Sequence, residues 1–299
     1  MITVILAGAI AACITVLLPA LGELLTERAG ITNLGTEGGV LAGALTGVVV
    51  GISTGSQLFG VLAGVVAGAI VAAVFSLTVV VGRASQLASG LIVWFLLYGL
   101  TSMIGRSYNG RVLDPIGAWA VPGLSEIPFV GEIVFDQSPI VYVAYVLTAA
   151  VWWFLARTRA GLLIRATGER PAVVAAAGGN PRMIQIITTT VGGAFAGLGG
   201  AALSVGQVGN WSTNMTNGYG FIAVAVVLFS GWRVGWAAIG ALLFGAAIVT
   251  ATELQARGFA VNQYLLDALP YLLTLIVLIV ISARRTSTPE ALGAALAQH

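Results

Sequence analysis

Eight stretches of this chain are long and apolar enough to approach the roughly 20 residues that a helix needs to cross a bilayer. They lie at about 3–22, 36–53, 57–82, 87–105, 139–156, 183–205, 234–252 and 267–283, and a shorter one lies at 219–232. In lipid, every backbone N–H and C=O must find its partner inside the protein, so such stretches fold as helices packed against one another. Only 8% of the 299 residues are charged, against about 25% in an average soluble chain. The expected fold is an all-α polytopic membrane protein: a compact bundle of about nine transmembrane helices, eight to ten being compatible with the pattern. It has broken or re-entrant segments and fills residues 1–285, and residues 286–299 form a cytoplasmic tail. Residues 1–20 lack a basic n-region, so the first apolar run is read as a membrane helix and not as a cleavable leader.

Residue types that are absent exclude several chemistries. All thirteen basic residues are arginine. Without lysine, the chain builds neither a Walker A phosphate loop nor a Schiff-base nucleophile. The one histidine is His299, at the chain end, which argues against a His-based triad or a histidine-ligated metal site. The one cysteine, Cys13, lies inside the first apolar run and reads as a small packed hydrophobe.

Arginine also sets the expected orientation. With the C-terminus cytoplasmic, alternation of nine spans places Arg28, Arg83, Arg157, Arg159, Arg165, Arg170, Arg182, Arg233, Arg284 and Arg285 inside, ten of the thirteen. The N-terminus is then outside. The 106–138 segment, which carries Asp114, Glu126, Glu132 and Asp136, is outside as well. Small residues recur every four positions at Gly35, Gly39, Gly43, Gly47 and Gly51, at Gly60, Gly64 and Gly68, and at Gly193, Gly197 and Ala201. Such stripes let helix backbones approach closely in lipid.

Three places interrupt the apolar pattern. Gly22–Gly39 runs charged and glycine residues straight into the second span, which places Glu37 at or inside the membrane boundary. Gly206–Phe221 is rich in amides, hydroxyls and aromatics and leads into the short 219–232 run, expected as a half-helix or re-entrant segment. Breaks of this kind are where transporters place substrate sites. The third is the 157–182 loop, with five arginines and a short helix that begins at Pro171 and ends at Gly178-Gly179. Val173, Val174 and Ala177 give it an apolar face for docking.

Four segments in order resemble those of nucleoside and simple-sugar ABC importer permeases, in the wider superfamily of ribose-type and branched-chain amino acid permeases. They are Glu27-Arg-Ala-Gly-Ile-Thr-Asn-Leu-Gly-Thr-Glu-Gly38, Gly168-Glu-Arg-Pro-Ala-Val-Val-Ala-Ala-Ala-Gly-Gly-Asn-Pro181, Gly192-Gly-Ala-Phe-Ala-Gly-Leu-Gly-Gly-Ala201 and Gly218-Tyr-Gly-Phe-Ile-Ala-Val-Ala-Val226. The chain departs from the family at Gly179 and in the turn Ser230-Gly-Trp-Arg-Val-Gly-Trp236.

The resemblance implies the smaller of two paired permeases in the plasma (inner) membrane. Its partners would be a second, larger permease chain, cytoplasmic ATPase subunits, an extracytoplasmic substrate-binding protein and membrane lipid, with no nucleic acid polymer. It implies no cofactor in this chain, with ATP and Mg on the partner ATPase. The 157–182 loop would carry a cytoplasmic coupling helix that touches the ATPase through Glu169, Arg170, Ala176, Gly178 and Asn180. Asn33 and Glu37 read as a path or gate, or alternatively as an interhelical polar clamp that Arg28 could complete. Trp211, Asn214, Asn217, Tyr219 and Phe221 read as path residues, since amides bond sugar hydroxyls and aromatics stack on a base or sugar face, or alternatively as an interfacial loop. Glu253 and Asp267 are expected in an outer loop that meets the binding protein. Nucleosides are the first substrate expectation, and simple sugars or branched-chain amino acids the alternatives. An ion-coupled carrier would need intramembrane carboxylates, for which Glu37 is the one fair candidate, and an intramembrane enzyme would lack its catalytic constellation.

Overall fold

Glycine decides which helices touch. The computed structural model describes residues 2–256 and Leu272. Within these residues lie α1 (Ile2–Arg28), α2 (Thr36–Thr54), α3 (Gln57–Val80) and α4 (Gln86–Gly105). A largely irregular stretch follows, with the two-residue antiparallel pair β1 (Trp119–Ala120) and β2 (Asp136–Gln137) flanking α5 (Val130–Val134). The chain continues with α6 (Pro139–Arg157), α7 (Arg159–Glu169), α8 (Pro171–Ala176), α9 (Pro181–Ala201), α10 (Tyr219–Ser230) and α11 (Val234–Ala256).

Seven helices among the described residues are long and apolar enough to cross a membrane, and α10 is a shorter apolar one. Apart from Leu272, the 267–283 run expected as the last span lies outside the described residues, as do Asp267 and the 286–299 tail. The chain is therefore a multi-pass membrane protein, with seven candidate spans among the described residues.

The small-residue stripes meet in one three-helix seam. A methyl group at Gly43 would overlap the carbonyl oxygen of Gly197, one at Gly197 the carbonyl oxygen of Gly64, and one at Gly68 that of Gly193. At Gly60 it would lie 2.6 Å from the Gly47 carbonyl oxygen. α2, α3 and α9 therefore pack backbone to backbone, the arrangement that gains most dispersion energy where lipid is as apolar as the protein. α1 lies against this seam and also packs on α10 and α11. There Gly22 abuts Gly192 on α9, and Gly245 of α11 faces Ala9 and Cys13. By contrast, Phe59, Leu62, Val66, Ile70 and Val74 on α3 are exposed at helical spacing, as expected of a face turned to lipid or to another subunit.

Two helices differ from the sequence expectation. α1 does not stop near residue 22 but continues through the charged stretch to Arg28, because Glu23 and Glu27 both find partners inside the protein. The 157–182 loop is mostly helical. Thr158 caps α7 by accepting from the Gly161 N–H at 2.9 Å. Gly161, Ile164, Thr167 and Gly168 then form its buried face.

Candidate translocation and coupling site

The irregular backbone at the start of α2 is a hook over Ala29–Gly35, and most of it is buried. Glu23 holds it. One carboxylate oxygen accepts from the Asn33 N–H at 2.7 Å and the other from the Thr36 hydroxyl at 2.9 Å. The Asn33 side chain accepts in turn from the Gly35 N–H at 2.9 Å. From α4, Gln86 accepts from the Thr32 N–H at 3.0 Å. Backbone without helical bonds is tolerated at membrane depth only where protein covers and satisfies it, and here side chains supply what the missing helix would.

A second hook follows α9. Its last turns run as a π-helix over Ala202–Val208, which ends at Gly209 with φ +68°. The Gly209 carbonyl accepts from the Leu113 N–H at 2.7 Å, and Val112 bridges to Asn210, so the hook starts against the 106–138 segment. The chain then turns through left-handed Asn214 and Asn217 (φ +60° and +40°) to Gly218. Asparagine is among the few side chains that tolerate this conformation.

Glu37 joins the two hooks. It is 1% exposed. Its Oε1 accepts from the Thr216 hydroxyl at 2.6 Å and the Gly218 N–H at 3.0 Å, and its Oε2 accepts from the Gly220 N–H at 2.6 Å. The donors at Gly218 and Gly220 belong to the start of α10, whose first N–H groups have no intrahelical acceptor, so a carboxylate there is matched both by hydrogen bond and by helix dipole. A methyl at Gly220 would lie 2.5 Å from the Glu37 backbone, which shows how closely α10 approaches α2.

The other sequence-derived residues spread around this joint. Asn33 is buried in the first hook. Trp211 is 2% exposed and packs with Leu41, Leu45, Val48 and Val205, its indole pressed against Gly105. Phe221 meets Trp94 edge to face, with ring centroids 5.0 Å apart. Tyr219 packs against the α1–α10–α11 core. Asn214 is half-buried and Asn217 exposed. Glu253 sits within the last turns of α11 and not in a loop.

Pairing of Glu37 with Arg28 is not what the geometry gives. Arg28 donates instead to the Trp232 carbonyl at 2.8 Å, and the Trp232 indole N–H donates to Glu27 Oε2. Trp232 is buried and adopts φ +57° in the turn between α10 and α11. This clip was invisible to sequence reasoning, as were Thr216 and Glu23. Trp232→Phe removes the one indole donor and leaves a buried carboxylate without that partner. The expected cost is about 3 kcal/mol, read as a fall of roughly 6–12 °C in the unfolding midpoint of the detergent-solubilised chain. Adding Glu27→Gln should recover part of the loss.

At the end of the bundle that carries the Arg28 clip, α7 docks through its glycines. A methyl at Gly168 would overlap the Arg28 carbonyl, and one at Gly161 the Phe154 carbonyl. α7 leads into α8, which contacts α7 and α9. Of the three apolar residues expected to dock α8, Val174 alone is buried; Val173 is 58% exposed and Ala177 is exposed too. α8 is six residues long, shorter than expected. Glu169 ends α7, Arg170 separates the two helices, Ala176 ends α8, and all three are exposed. Gly178 has φ +83° with open space where a side chain would stand. Asn180 caps α9 by accepting from the Met183 N–H at 3.2 Å.

Residues 4–281 match the protein-family model described as branched-chain amino acid transport system / permease component. The chain is 33% identical to the putative glucose ABC transporter permease protein TsgC13 of Haloferax volcanii, over 98% of this chain and 96% of that protein. It is 30% identical to the guanosine ABC transporter permease protein NupQ of Bacillus subtilis, over 88% and 86% of the two chains. It is also 30% identical to the nucleoside ABC transporter permease protein NupC of Lactococcus lactis, over 66% and 64%. No solved structure matches it.

Proposed function

The chain belongs to the branched-chain amino acid transport system permease family, and from that premise we propose that it lines the membrane path of an ATP-driven importer for nucleosides. It is a transport component and not an enzyme, and such permeases work with an ATPase and a substrate-binding protein. ATP and Mg belong on the ATPase, a separate chain, since this one has no lysine for a phosphate loop. A second, larger permease completes the path. The N-terminus is outside and the C-terminus cytoplasmic, with Arg28, α7 and α8 on the cytoplasmic side.

The observation that carries the path reading is the Glu37 joint. Two breaks in the helical pattern meet at one buried carboxylate, with Asn33 on one side and Trp211, Asn214, Asn217, Tyr219 and Phe221 on the other. A path needs polar groups at membrane depth that are held in place, and irregular backbone is tolerated there where it is buried in protein or lines a water-filled cavity. Motion of α10 against α2 would open or close it.

Coupling is assigned to α8 and its flanks, Glu169, Arg170, Ala176, Gly178 and Asn180. α8 offers nearly its whole surface to a partner while α7 ties it to the ends of α1 and α6, so a push on α8 is delivered to the bundle. Glu169→Arg or Ala176→Arg, both at exposed positions, is expected to lower ATP-driven transport by about ten-fold or more, equivalent to about 1.4 kcal/mol of lost coupling. The melting temperature and the ATPase activity should persist. Full transport in both variants would remove the coupling role.

For substrate, the guanosine and nucleoside permeases among the relatives favour nucleosides, whereas the near full-length match to a putative glucose permease favours sugars as the second reading. The binding protein that works with this chain decides between them. Its unfolding midpoint should rise with guanosine or uridine and stay unchanged with glucose or leucine; a rise with glucose alone would assign the sugar.

A further inference from the structure

A cavity of about 480 Å³ opens at the α7–α8 end of the bundle. It lies away from the Glu37 joint. Three arginines from three elements line it: Arg28 at the end of α1, Arg165 on α7 and Arg233 in the α10–α11 turn. Trp152 of α6 and Trp236 of α11 line it too, and each is more than half exposed. Arg28 is pinned to the wall by its bond to the Trp232 carbonyl. The Nε of Arg165 is buried without a hydrogen-bond partner.

The nearby acids do not neutralise this group. Glu27 turns its Oε2 to the Trp232 indole, and Glu169 lies within electrostatic range of Arg28, which sets at most two carboxylates against three guanidinium groups.

An unpartnered guanidinium N–H beside two more arginines calls for an anionic oxygen, and phosphate supplies several at once. The remaining walls are apolar. Leu155 of α6 and Ile239 of α11 line the cavity; Leu155 is buried and Ile239 is half exposed. Tryptophans near the ends of membrane helices occupy the headgroup level of a bilayer. A ligand with a phosphate head and an apolar tail fits all of these features. We propose that the cavity is a binding site for the headgroup of an anionic phospholipid. The cytoplasmic placement of the site rests on the topology proposed above, but lipid binding itself does not. A lipid seated there bridges α1, α6, α7 and the α10–α11 turn, and so braces the helix that carries α8.

The test is native mass spectrometry of the full chain, delipidated in detergent and titrated with phosphatidylglycerol or phosphatidylcholine. Each arginine near the surface contributes about a five-fold preference for anionic lipid. Wild type, with three such arginines, should therefore retain phosphatidylglycerol on the order of 100-fold better than phosphatidylcholine. Arg165→Gln should weaken that preference by about five-fold and Arg165→Gln/Arg233→Gln by about 25-fold, with phosphatidylcholine retention unchanged. Arg165→Lys should keep part of it. If the double variant does not fold, Trp236→Ala, at an exposed position, carries the test and should reduce retention of phosphatidylglycerol. Equal retention of both lipids, or a preference that the arginine and the tryptophan substitutions leave undiminished, would overturn the proposal. So would displacement of phosphatidylglycerol by millimolar glycerol 3-phosphate, which would assign the cavity to a soluble anion.

Discussion

Glu37→Ala is expected to lower the stability of the chain by about 4 kcal/mol, whereas Thr216→Ala should cost only about 1 kcal/mol. The asymmetry follows from which side of the joint is removed. Taking away the carboxylate orphans two buried backbone donors, at Gly218 and Gly220, together with the Thr216 hydroxyl. Taking away Thr216 leaves Glu37 with two of its three partners. Backbone N–H groups at the start of α10 have no other acceptor in reach of the helix, so their desolvation cost is felt in full. In thermal unfolding of the solubilised chain, the first substitution should lower the midpoint by roughly 8–16 °C and the second by roughly 2–4 °C. Glu37→Gln should fall between, because the amide keeps one acceptor oxygen but turns an NH₂ toward a donor. Equal, small effects of Glu37→Ala and Thr216→Ala would mean that the carboxylate does not hold the two hooks together.

Gly197→Ala is expected to cost about 3 kcal/mol or more, and Gly197→Val should prevent accumulation of the chain in the membrane. A methyl there would overlap the Gly64 carbonyl oxygen and also sit 3.0 Å from Gly68 Cα. Neither neighbour is a flexible side chain that could swing aside. Relief requires α3 to move off α9, and α2 shares the same seam, so one substitution pries three helices apart. The matched control is Gly99→Ala in α4. Nothing lies within 4 Å of the added methyl there, and the change should be neutral or stabilising by up to about 1 kcal/mol, since alanine favours the helix. Membrane yield and the unfolding midpoint of the two variants distinguish a packed seam from a general glycine effect. Similar behaviour of Gly99→Ala and Gly197→Ala would argue against backbone contact.

The seam was legible in the sequence because its signal is periodic: small residues every four positions mark one stripe of a helix, and each of the three stripes lies in the seam. The break before α10 was legible because amides, hydroxyls and glycines interrupt an apolar pattern. The end of α1 was not. Glu23 and Glu27 read as loop residues because a carboxylate in a span is expensive. What offsets that expense is an acceptor role toward Asn33, Thr36 and Trp232, the last of these 205 positions away. No local pattern encodes such a partner. The i, i+4 spacing of Glu23 and Glu27 was the one available hint that they share a helix face. α7 was missed for a different reason. Its arginines mask a buried face of small residues, although Thr158 three positions before Gly161 is a readable N-cap. The placement of the path and coupling residues rests on geometry that joins distant segments, so a sequence can name these residues without showing which of them touch.

The most direct test of the importer assignment is uptake into proteoliposomes that contain this chain and its permease partner, with the binding protein outside the substrate-facing surface. Labelled guanosine should accumulate only when the ATPase is present and supplied with ATP and Mg, and accumulation should cease when ATP is withheld. Accumulation without the ATPase, driven by a proton or sodium gradient alone, would contradict the assignment.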